Sequence, residues 1–244
     1  MDERIRQERE HFNAIAKSYE ILYGFHRPAA LKKVRALATR FAQVLEGAPC
    51  GVIVEIGGGS GFFTRHLAPR LSNRSLIMVD IARTMILSAR SMLDKNDHCL
   101  FTEGDCMRLP FADASIAAIT GHGVLHHLDQ NRIISEISRV LKPGGRIAFY
   151  EPNSFNPYIY LLKTIPALRP PGDTAAEQAL NPCIMRKLLC QNNFKHVSLE
   201  PVELMMNTTP ARLIPLISRA SSVLEYIPLA RWLGGSLRIT AERV

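Results

Sequence analysis

A short apolar strand that runs directly into a cluster of glycines constrains the fold of this chain more than any other stretch. The sequence reads Val52-Ile53-Val54-Glu55-Ile56-Gly57-Gly58-Gly59-Ser60-Gly61. The residues that follow, Phe62 to Ala68, are typical of the start of a helix. A strand, a tight glycine turn and a helix form the unit that directs backbone N–H groups at an anionic ligand. The stretch therefore predicts a ligand-binding turn in an α/β fold.

The spacing of the glycines indicates which ligand this turn binds. A dinucleotide fingerprint requires Gly-x-Gly-x-x-Gly/Ala, but the last position here is Phe62. The pattern is instead Glu-x-Gly-x-Gly-x-Gly, which resembles motif I of the class I S-adenosylmethionine (SAM)-dependent methyltransferases. A turn that is only structural, or that binds another nucleotide, is the alternative. The resemblance implies SAM as the cofactor and these residues as its first contacts: Glu55, Gly57, Gly58, Gly59 and Gly61.

A second apolar strand is predicted from Ser75 to Val79, and it ends in Asp80. An acidic residue about 20 positions after the glycine turn lies at the carboxyl end of the second strand and accepts hydrogen bonds from ribose hydroxyls. Two vicinal hydroxyls are matched by the two oxygens of one carboxylate. Aspartate at a strand end is also a common turn residue. The register with Gly57 favours the ribose role, and Ile81 is expected against the adenine face.

A third strand, Cys99 to Glu103, leads into Gly104-Asp105-Cys106-Met107-Arg108-Leu109-Pro110-Phe111. This stretch resembles the Gly-Asp-x-x-x-Leu-Pro-Phe segment of the same methyltransferases. The resemblance implies that Asp105 accepts from the adenine amino group and that the backbone N–H of Cys106 serves a ring nitrogen. A nucleophilic thiol at Cys106 is the competing interpretation. It is disfavoured because no base stands beside the cysteine in an activating motif.

A fourth strand, Ser115 to Thr120, runs into Gly121-His122-Gly123-Val124-Leu125-His126-His127-Leu128. The Leu-His-His-Leu core is a further hallmark of the family, and Gly121 is expected beside the cofactor. One departure is Ala117, where many relatives carry Asp. Adjacent histidines do not share a helix face, and no carboxylate follows them at a known metal-ligand spacing. We therefore predict two structural histidines and no metal site.

The remaining core elements complete an alternating pattern of strands and helices. Ile133 to Leu141 is predicted as a helix that ends at Lys142-Pro143-Gly144-Gly145, and Arg146 to Tyr150 as the fifth strand. Alternation with short connections specifies a doubly wound, Rossmann-like parallel sheet. The resemblance implies seven strands, with the last strand, Ser236 to Glu242, running antiparallel. Ligands bind beyond the carboxyl ends of such strands, where Gly57, Asp80, Asp105, Gly121 and Glu151 are expected.

The chain divides around this core into segments with different predicted roles. Residues 1–46 show two helical repeats of apolar residues. Within them, the Phe12-x-x-x-Ala16-x-x-Tyr19 spacing resembles a segment that covers the cofactor in small-molecule methyltransferases, which implies that Tyr19 covers the sulfonium end. Two helices that merely pack on the core are the alternative. The predicted segments are a lid (1–46), a SAM-binding core (47–153), a first insertion (154–182), a core helix and strand (183–206), a second apolar insertion (207–234) and the last strand (235–244).

The two insertions are predicted at the acceptor side, because they connect elements at that edge of the sheet. Both are apolar, with interspersed basic residues. One interpretation is that the insertions are helices that cap the pocket. The other is that they form an access route for an apolar acceptor, or that they dock shallowly on an anionic membrane surface. The resulting hypothesis is methylation of a small hydrophobic molecule, with the methylated atom left open among oxygen, nitrogen and carbon.

The reaction implied by the resemblance is an in-line displacement at the sulfonium methyl, for which the protein mainly positions the reactants. An oxygen or acidic carbon acceptor also has to lose a proton, commonly to His or a carboxylate. His122 is the first candidate for the base or for an acceptor-positioning group, and a surface histidine is the alternative. Glu151, with Asn153 beside it, is the second candidate, unless it only ties down the loop.

Composition and net charge limit which other functional classes of protein have to be considered. The net charge of +8 fits nucleic acid, an anionic membrane surface or simply a basic enzyme. The five cysteines are scattered, which indicates reduced thiols, and the mixed-charge N-terminus indicates a cytoplasmic protein without a signal peptide. An RNA methyltransferase is disfavoured because no Pro-Pro-aromatic motif follows the fourth strand. A non-catalytic SAM-binding partner subunit and an NAD-dependent dehydrogenase complete the alternatives, and no feature indicates an oligomeric state.

Overall fold

A seven-stranded sheet carries the chain, which is seen here in a computed structural model. The structure describes residues 3–71, 74–93, 98–170, 172–174, 177–203, 205–225, 227 and 230–244. The strands are β1 (Ile53–Ile56), β2 (Leu76–Asp80), β3 (Cys99–Glu103), β4 (Ile116–His122), β5 (Leu141–Pro152), β6 (Phe194–Val202) and β7 (Ser236–Arg243). The α-helices of the described residues are α1 (Glu3–Ile15), α2 (Tyr19–Leu22), α3 (Pro28–Glu46), α4 (Thr64–Leu67), α5 (Arg83–Leu93), α6 (Gln130–Val140), α7 (Pro157–Thr164), α8 (Pro182–Gln191) and α9 (Ile214–Glu225).

The strand order confirms the predicted doubly wound fold. The order is β3-β2-β1-β4-β5-β7-β6, with the first five strands parallel. Strand β7 is inserted between β5 and β6 and runs antiparallel to both. The order reverses between β1 and β4, so the crevice beyond their carboxyl ends is the place where such a sheet binds ligands.

Burial on both faces explains why the central strands are continuously apolar. All four residues of β1 are buried, which is typical of a parallel sheet covered by helices on each side. On one face, α6 and α8 pack their apolar side chains against the sheet. On the other face, α3 contributes Val34, Leu37, Phe41 and Leu45 to a second core.

The glycine turn after β1 is left-handed at three positions. Gly57, Gly59 and Gly61 have φ angles of +62°, +55° and +82°, a region that glycine enters without steric cost. A Cβ on Gly57 would lie 2.3 Å from a methyl group of Val124. The predicted helix after the turn begins two residues later than expected, at Thr64, and it is a single turn of α-helix continued by a 3₁₀ turn, Ala68–Arg70.

The structure at Lys142-Pro143-Gly144-Gly145 differs from the prediction in where the next strand begins. Helix α6 does end just before it, at Val140, but β5 begins at once, at Leu141, instead of at Arg146. Leu141 has extended backbone angles, is fully buried and pairs with Ile116 of β4. Proline and glycine prevent continuation of the helix but permit an extended chain, so the strand includes them, with an irregular register before Arg146.

Within the described residues, no helix has both the length and the apolar character that crossing a bilayer requires. The two insertions predicted at the acceptor side contain α7 and α9, each followed or preceded by 3₁₀ turns (Pro166–Leu168, Ala211–Leu213 and Ala230–Leu233). A large share of their apolar side chains is exposed.

Replacement of Gly121 by alanine is expected to destabilise the fold, because this glycine permits the close approach of three strands. A Cβ there would lie 2.9 Å from the Phe149 ring and 3.0 Å from the carbonyl oxygen of Ile56. Overpacking of this kind costs about 1–3 kcal/mol. Denaturant unfolding of Gly121→Ala should show this loss, whereas Gly235→Ala, whose Cβ would meet its first atom at 3.6 Å, should stay near wild type. Equal stability of the two variants would contradict the close approach.

Candidate active site

A cleft of about 750 Å³ lies beyond the carboxyl ends of β1, β2 and β4, under the N-terminal helix. The predicted cofactor residues that line it are Tyr19, Gly57, Gly59, Asp80, Ile81, Asp105 and Cys106. They come from four separate segments that the parallel sheet brings to one edge. The cleft is called the cofactor cavity below.

Asp80 connects the second strand to the glycine turn. Its Oδ2 accepts from the backbone N–H of Gly59 at 2.9 Å, and its Oδ1 accepts from that of Ala82 at 2.8 Å. Burial raises the pKa of Asp80 above its usual value, although these backbone N–H groups work against the rise. Each oxygen keeps a lone pair for a further donor, so the carboxylate suits a pair of hydroxyls at the cavity floor.

Asp105 and Cys106 form the wall opposite the glycine turn. Asp105 caps the short 3₁₀ turn Cys106–Arg108 by accepting from the N–H of Met107 at 2.8 Å. Burial raises the pKa of the Cys106 thiol to about 12, so the sulfur stays protonated at neutral pH. This disfavours the nucleophilic thiol that competed with the cofactor role.

An aromatic group from the N-terminal segment covers the cavity. Tyr19 lies over Gly59, where a Cβ would meet its ring at 3.6 Å. Phe12 of α1 makes edge-to-face contacts with Tyr19 and with His127, at centroid distances of 6.2 and 5.3 Å. Ile5 and Glu8 of the same helix also line the cavity. The first helix therefore forms one wall of the cofactor cavity.

The residues present fit SAM on three counts. Gly57 has no room for a Cβ beside Val124, and Gly59 adopts a left-handed φ of +55°, so glycine backbone faces the cavity at both positions, which suits close approach of a charged amino-acid moiety. Asp80 and Asp105 offer acceptors at separate points of the wall, for hydroxyls and for an amino group. Ile81, Met85, Met107 and Leu128 provide apolar surface for a flat ring between them. The sequence analysis missed the two methionines and Leu128, since single apolar residues in a helix or a loop carry no distinctive signal.

Four predicted cofactor residues do not line this cavity. Gly58 lies against Met78, Gly61 lies against Ala89 of α5, and Gly121 lies between strands, so each serves close packing. Glu55 is 1% exposed, and its carboxyl oxygens make no hydrogen bond of good geometry within the part of the chain that the structure describes. Burial, with a smaller contribution from the charge of Asp80, raises the pKa of Glu55 to about 8. The acidic residue of the motif is therefore a protonated core residue behind the turn.

A second, larger cavity of about 1880 Å³ adjoins the first. The two share Tyr19, Gly123 and His127, which form the junction between them. Apolar and aromatic walls come from α2, α3, α7 and the segment after β6, and include Tyr23, Phe25, Val34, Phe62, Ile159, Leu162, Met205 and Met206. This space is called the acceptor cavity below, and several residues of the first insertion line it.

His122 lies in the wall of the acceptor cavity between two aromatic rings. It stacks on Tyr150 at 5.1 Å and on Phe63 at 5.5 Å between ring centroids. Burial, together with the positive charge of Lys33, lowers the pKa of His122 to about 4. The imidazole is therefore neutral at physiological pH and is a weak base.

Glu151 lines the acceptor cavity, but its carboxyl oxygens are engaged by donors of the protein. Its Oε1 accepts from the N–H groups of Val124 and Leu125, both at 2.9 Å, and its Oε2 accepts from Nδ1 of His126 at 2.8 Å. Burial alone would raise the pKa of Glu151, but the hydrogen bond from His126 and those from the backbone outweigh it and lower the pKa below its usual value. The carboxylate is thus ionised and fully engaged in holding the loop after β4.

Asn153 is fully buried and lines neither of the two described cavities. Its side-chain amide donates to the carbonyl oxygens of Trp232 and Gly234, and its Oδ1 accepts from Phe155. The expected acceptor-binding role is therefore replaced by a structural one, in which Asn153 ties the end of β5 to the second insertion. The contacts of Glu151 and Asn153 fit the alternative interpretation, in which the end of β5 holds neighbouring loops in place.

The two adjacent histidines are surrounded by carboxylates that come from distant parts of the chain. Nε2 of His126 lies 3.5 Å from Glu177, and Nδ1 of His127 lies 3.2 Å from Glu8 and 3.5 Å from Glu177. Burial lowers the pKa of His126, but its bonds to Glu151 and Glu177 outweigh this and raise it above the usual value. Sequence analysis found no such arrangement, because no local spacing links these positions.

Part of the core is similar to a known protein family. Residues 54–149 match the sequence profile of a family described as Methyltransferase domain. A malonyl-[acyl-carrier protein] O-methyltransferase from Methylococcus capsulatus is 34% identical over 104 residues, which are 42% of this chain and 38% of the relative. A demethylmenaquinone methyltransferase from Deinococcus radiodurans is 31% identical over 144 residues, 58% of each chain. The chain thus spans less than two thirds of the length of these relatives.

A solved structure shows the same fold. The geranyl diphosphate C-methyltransferase from Streptomyces coelicolor A3(2), in complex with Mg²⁺, geranyl diphosphate and S-adenosyl-L-homocysteine, has a TM-score of 0.60 and 17% identity. The match covers 88% of this chain and 82% of that chain. The likeness therefore extends beyond the profile match to the helices and strands on either side of it.

Replacement of Glu55 by glutamine should change how stability depends on pH. A pKa raised in the folded state means that the native protein retains a proton that the unfolded chain loses, so ionisation penalises folding as pH rises from about 4.5 to about 8. Glu55→Gln removes this titration. Its stability relative to wild type should increase by roughly 1–4 kcal/mol between pH 5 and pH 9 in denaturant unfolding. The exposed Glu10→Gln should show no such trend, and a flat difference for Glu55→Gln would refute the buried protonated carboxyl.

Proposed function

We propose that this chain, which carries a class I SAM-dependent methyltransferase domain at residues 54–149, transfers a methyl group from SAM to a small apolar acceptor. One observation carries the proposal. The cofactor cavity and the acceptor cavity meet at Tyr19, Gly123 and His127, so a donor and an acceptor can approach each other at that junction. Such alignment of two reactants can supply roughly 7–11 kcal/mol of a reaction barrier.

The cofactor, when bound, supplies an electrophilic methyl group on a sulfonium. The residues of the chain hold it in place. Gly57 and Gly59 present backbone to its amino-acid portion, Asp80 accepts from its ribose hydroxyls, and Asp105 and the N–H of Cys106 engage its adenine. Tyr19 and α1 exclude water from the sulfonium end, as a lid. The cavity lining and the hydrogen bonds of Asp80 support these assignments.

The walls of the acceptor cavity support an apolar acceptor. Phe25 and Phe62 stack face to face at 4.2 Å, and Tyr23 stacks beside Phe25 at 5.8 Å. Such rings and the methionines after β6 remove apolar surface from water at about 25 cal/mol per Å². The demethylmenaquinone methyltransferase and the geranyl diphosphate C-methyltransferase are named for acceptors of this apolar kind.

Polar residues within the same cavity orient the acceptor. We assign His122 to hydrogen bonding with an acceptor hydroxyl, because a neutral imidazole with a pKa of about 4 accepts a hydrogen bond but removes a proton poorly. Glu151 acts through His126. By accepting from Nδ1, it fixes the orientation of the His126 ring, whose Nε2 faces Glu177 at 3.5 Å.

Labelled SAM should identify the acceptor class. The purified protein is incubated with methyl-labelled SAM and cell extract, and lipid, RNA, protein and aqueous fractions are separated. Label is expected in the organic phase. Asp80→Asn should weaken SAM binding roughly tenfold to hundredfold, since it removes a charged hydrogen-bond acceptor, while Asp113→Asn, on the surface, should not. Label in RNA would favour the RNA methyltransferase, and SAM binding without label in any fraction would favour a non-catalytic subunit.

We further propose peripheral contact with an anionic membrane through the second insertion. Exposed Leu216 and Val223 of α9 lie in a segment that also carries exposed Arg212 and Arg219, a combination that suits shallow insertion beside anionic headgroups. An apolar acceptor dissolved in a bilayer would then reach the neighbouring cavity without crossing water.

Vesicle sedimentation tests this contact. Binding to anionic vesicles should exceed binding to neutral ones and should weaken as salt rises, because screening shortens the reach of the arginine charges. Leu216→Ser should reduce binding, whereas Leu100→Ser, equally exposed on β3 at the far edge of the sheet, should not. Equal affinity for both vesicle types, independent of salt, would refute the proposal.

A further inference from the structure

The junction between the two cavities contains a cluster of nitrogen and oxygen donors that methyl transfer does not require. His126, His127 and Glu177 each offer one donor atom, and these atoms lie within 4.8 Å of one another. Glu8 adds a fourth donor, since its Oε2 is 3.2 Å from Nδ1 of His127. The four residues are buried or nearly so. This set, Glu8, His126, His127 and Glu177, is called the junction cluster below.

The spacing of the junction cluster matches the first coordination shell of a small divalent cation. Zinc binds imidazole nitrogen and carboxylate oxygen at about 2.0–2.2 Å in a tetrahedral arrangement, which places neighbouring donors about 3.3–3.5 Å apart. The measured contacts are 3.5 Å from His126 Nε2 to Glu177, 3.5 Å from His127 Nδ1 to Glu177 and 3.2 Å from His127 Nδ1 to Glu8. Distances of this size separate donor atoms that bind the same cation.

The orientation of His126 is that of a metal ligand. Its Nδ1 donates to the buried carboxylate of Glu151 at 2.8 Å, and the opposite nitrogen faces the rest of the cluster. A carboxylate behind a histidine fixes the tautomer and raises the basicity of the coordinating nitrogen, as in carboxylate–histidine–zinc sites. Because Glu151 is itself held by backbone N–H groups, the ring is preorganised.

Two buried atoms of the cluster have only each other as a close polar partner among the described residues. Oε2 of Glu8 and Nδ1 of His127 form an ion pair at 3.2 Å and make no hydrogen bond of good geometry. Glu8 is 9% exposed, so water has little access to it. A buried carboxylate oxygen that is incompletely satisfied is costly, and a shared ligand would satisfy both atoms.

The charge around the cluster also favours a cation. Glu8, Glu151 and Glu177 are joined by Asp173. Among the described residues, Lys163 forms ion pairs with Asp173 and Glu177, and the guanidinium of Arg4 donates to the carbonyl oxygen of His127 at 2.6 Å. Asp173 keeps the Lys163 ammonium paired when Glu177 binds a cation. Four carboxylates against these two cationic side chains leave the region electronegative, and a dication offsets that excess.

We propose that the junction cluster is a binding site for a divalent first-row transition cation, with His126, His127, Glu177 and Glu8 as its protein ligands. Two imidazoles and two carboxylates favour Zn²⁺ and its neighbours over Mg²⁺ or Ca²⁺, which prefer all-oxygen sites. Resting on the proposed function, the cation lies where it binds an oxygen of the acceptor beside the donor methyl. A bound cation favours the ionised form of a hydroxyl, so the expected acceptor carries an ionisable hydroxyl on an apolar body.

Cobalt binding tests the site directly. The exposed Cys50, Cys183 and Cys190 are first replaced by serine, so that thiolates do not compete for metal. The metal-free protein is then titrated with Co²⁺ and Zn²⁺. We expect one equivalent bound, a visible spectrum typical of four-coordinate Co²⁺ with nitrogen and oxygen ligands, and displacement by Zn²⁺. Absence of stoichiometric binding would overturn the proposal.

Matched variants locate the bound ion. Glu177→Gln and Glu8→Gln keep the side-chain volume, and His127→Ala removes a ring; each should weaken Zn²⁺ binding at least tenfold. Glu151→Gln should also weaken it 10–100-fold, through His126. His196→Asn, an exposed histidine remote in sequence, should bind as wild type. Equal losses in His196→Asn and His127→Ala would overturn the assignment, and circular dichroism checks that each variant is folded.

The readout separates this proposal from the proposed function. Binding of S-adenosyl-L-homocysteine is measured on the same metal-free and metal-loaded samples. Asp80→Asn, which leaves the junction cluster unchanged, should weaken this binding in both samples. Stoichiometric metal binding without methyl transfer to any fraction would leave the site standing and refute the methyltransferase activity. Methyl transfer by a protein that binds no metal would refute the metal site and leave the proposed methyltransferase activity standing.

Discussion

The buried carboxylate of Glu151 is the interaction on which the ligand-binding side of this structure depends. A single ionised group at the end of β5 accepts from three successive backbone N–H groups of the loop after β4 and from the ring of His126. An ionised carboxylate is tolerated at 1% exposure only when donors surround it in this way. The loop that it holds contributes Gly123 and Val124 to the wall between the cavities, so their shape follows from one charge and its donors.

The glycine turn after β1 fits against that loop. Gly57 approaches Val124 so closely that a Cβ would overlap a methyl group, and Gly121 has the same relation to Val124 from within β4. The two glycines and the valine therefore form one packed unit at the point where the strand order reverses. Gly57 and Val124 line the cofactor cavity, and the adjacent Gly123 lines both cavities, so one loop borders the two.

The N-terminal helix completes the site from outside the sheet. Helix α1 reaches the junction through Glu8 and Phe12, and Thr174 of the first insertion donates to Glu8 at 2.7 Å. Tyr23 and His11 both donate to the carbonyl oxygen of Gly172, at 2.7 and 2.9 Å. The N-terminal segment and the first insertion are thus joined by hydrogen bonds.

Much of the fold and of the cofactor cavity could be predicted from sequence, because the signals are local. Backbone conformation at the glycine turn, apolar runs of buried strands and acidic residues at strand ends are each set within a few residues, and parallel pairing then brings them to one edge. Asp80 and Asp105 were predicted as cofactor residues on this basis, and both line the cavity. The two insertions and the antiparallel last strand were likewise readable from the order of elements.

The sequence by itself therefore determined the sheet, the turn and the edge at which ligands bind. Only the tertiary structure decided which groups the buried carboxyl side chains contact. Glu55 turned into the core, Glu151 turned to the loop and its histidine, and Glu8 and Glu177 converged on His127 from far along the chain. The physical reason is that burial and the position of donors fix whether a carboxylate is protonated, paired or free to bind a ligand. Those quantities depend on packing between distant segments, which no local pattern of residues records.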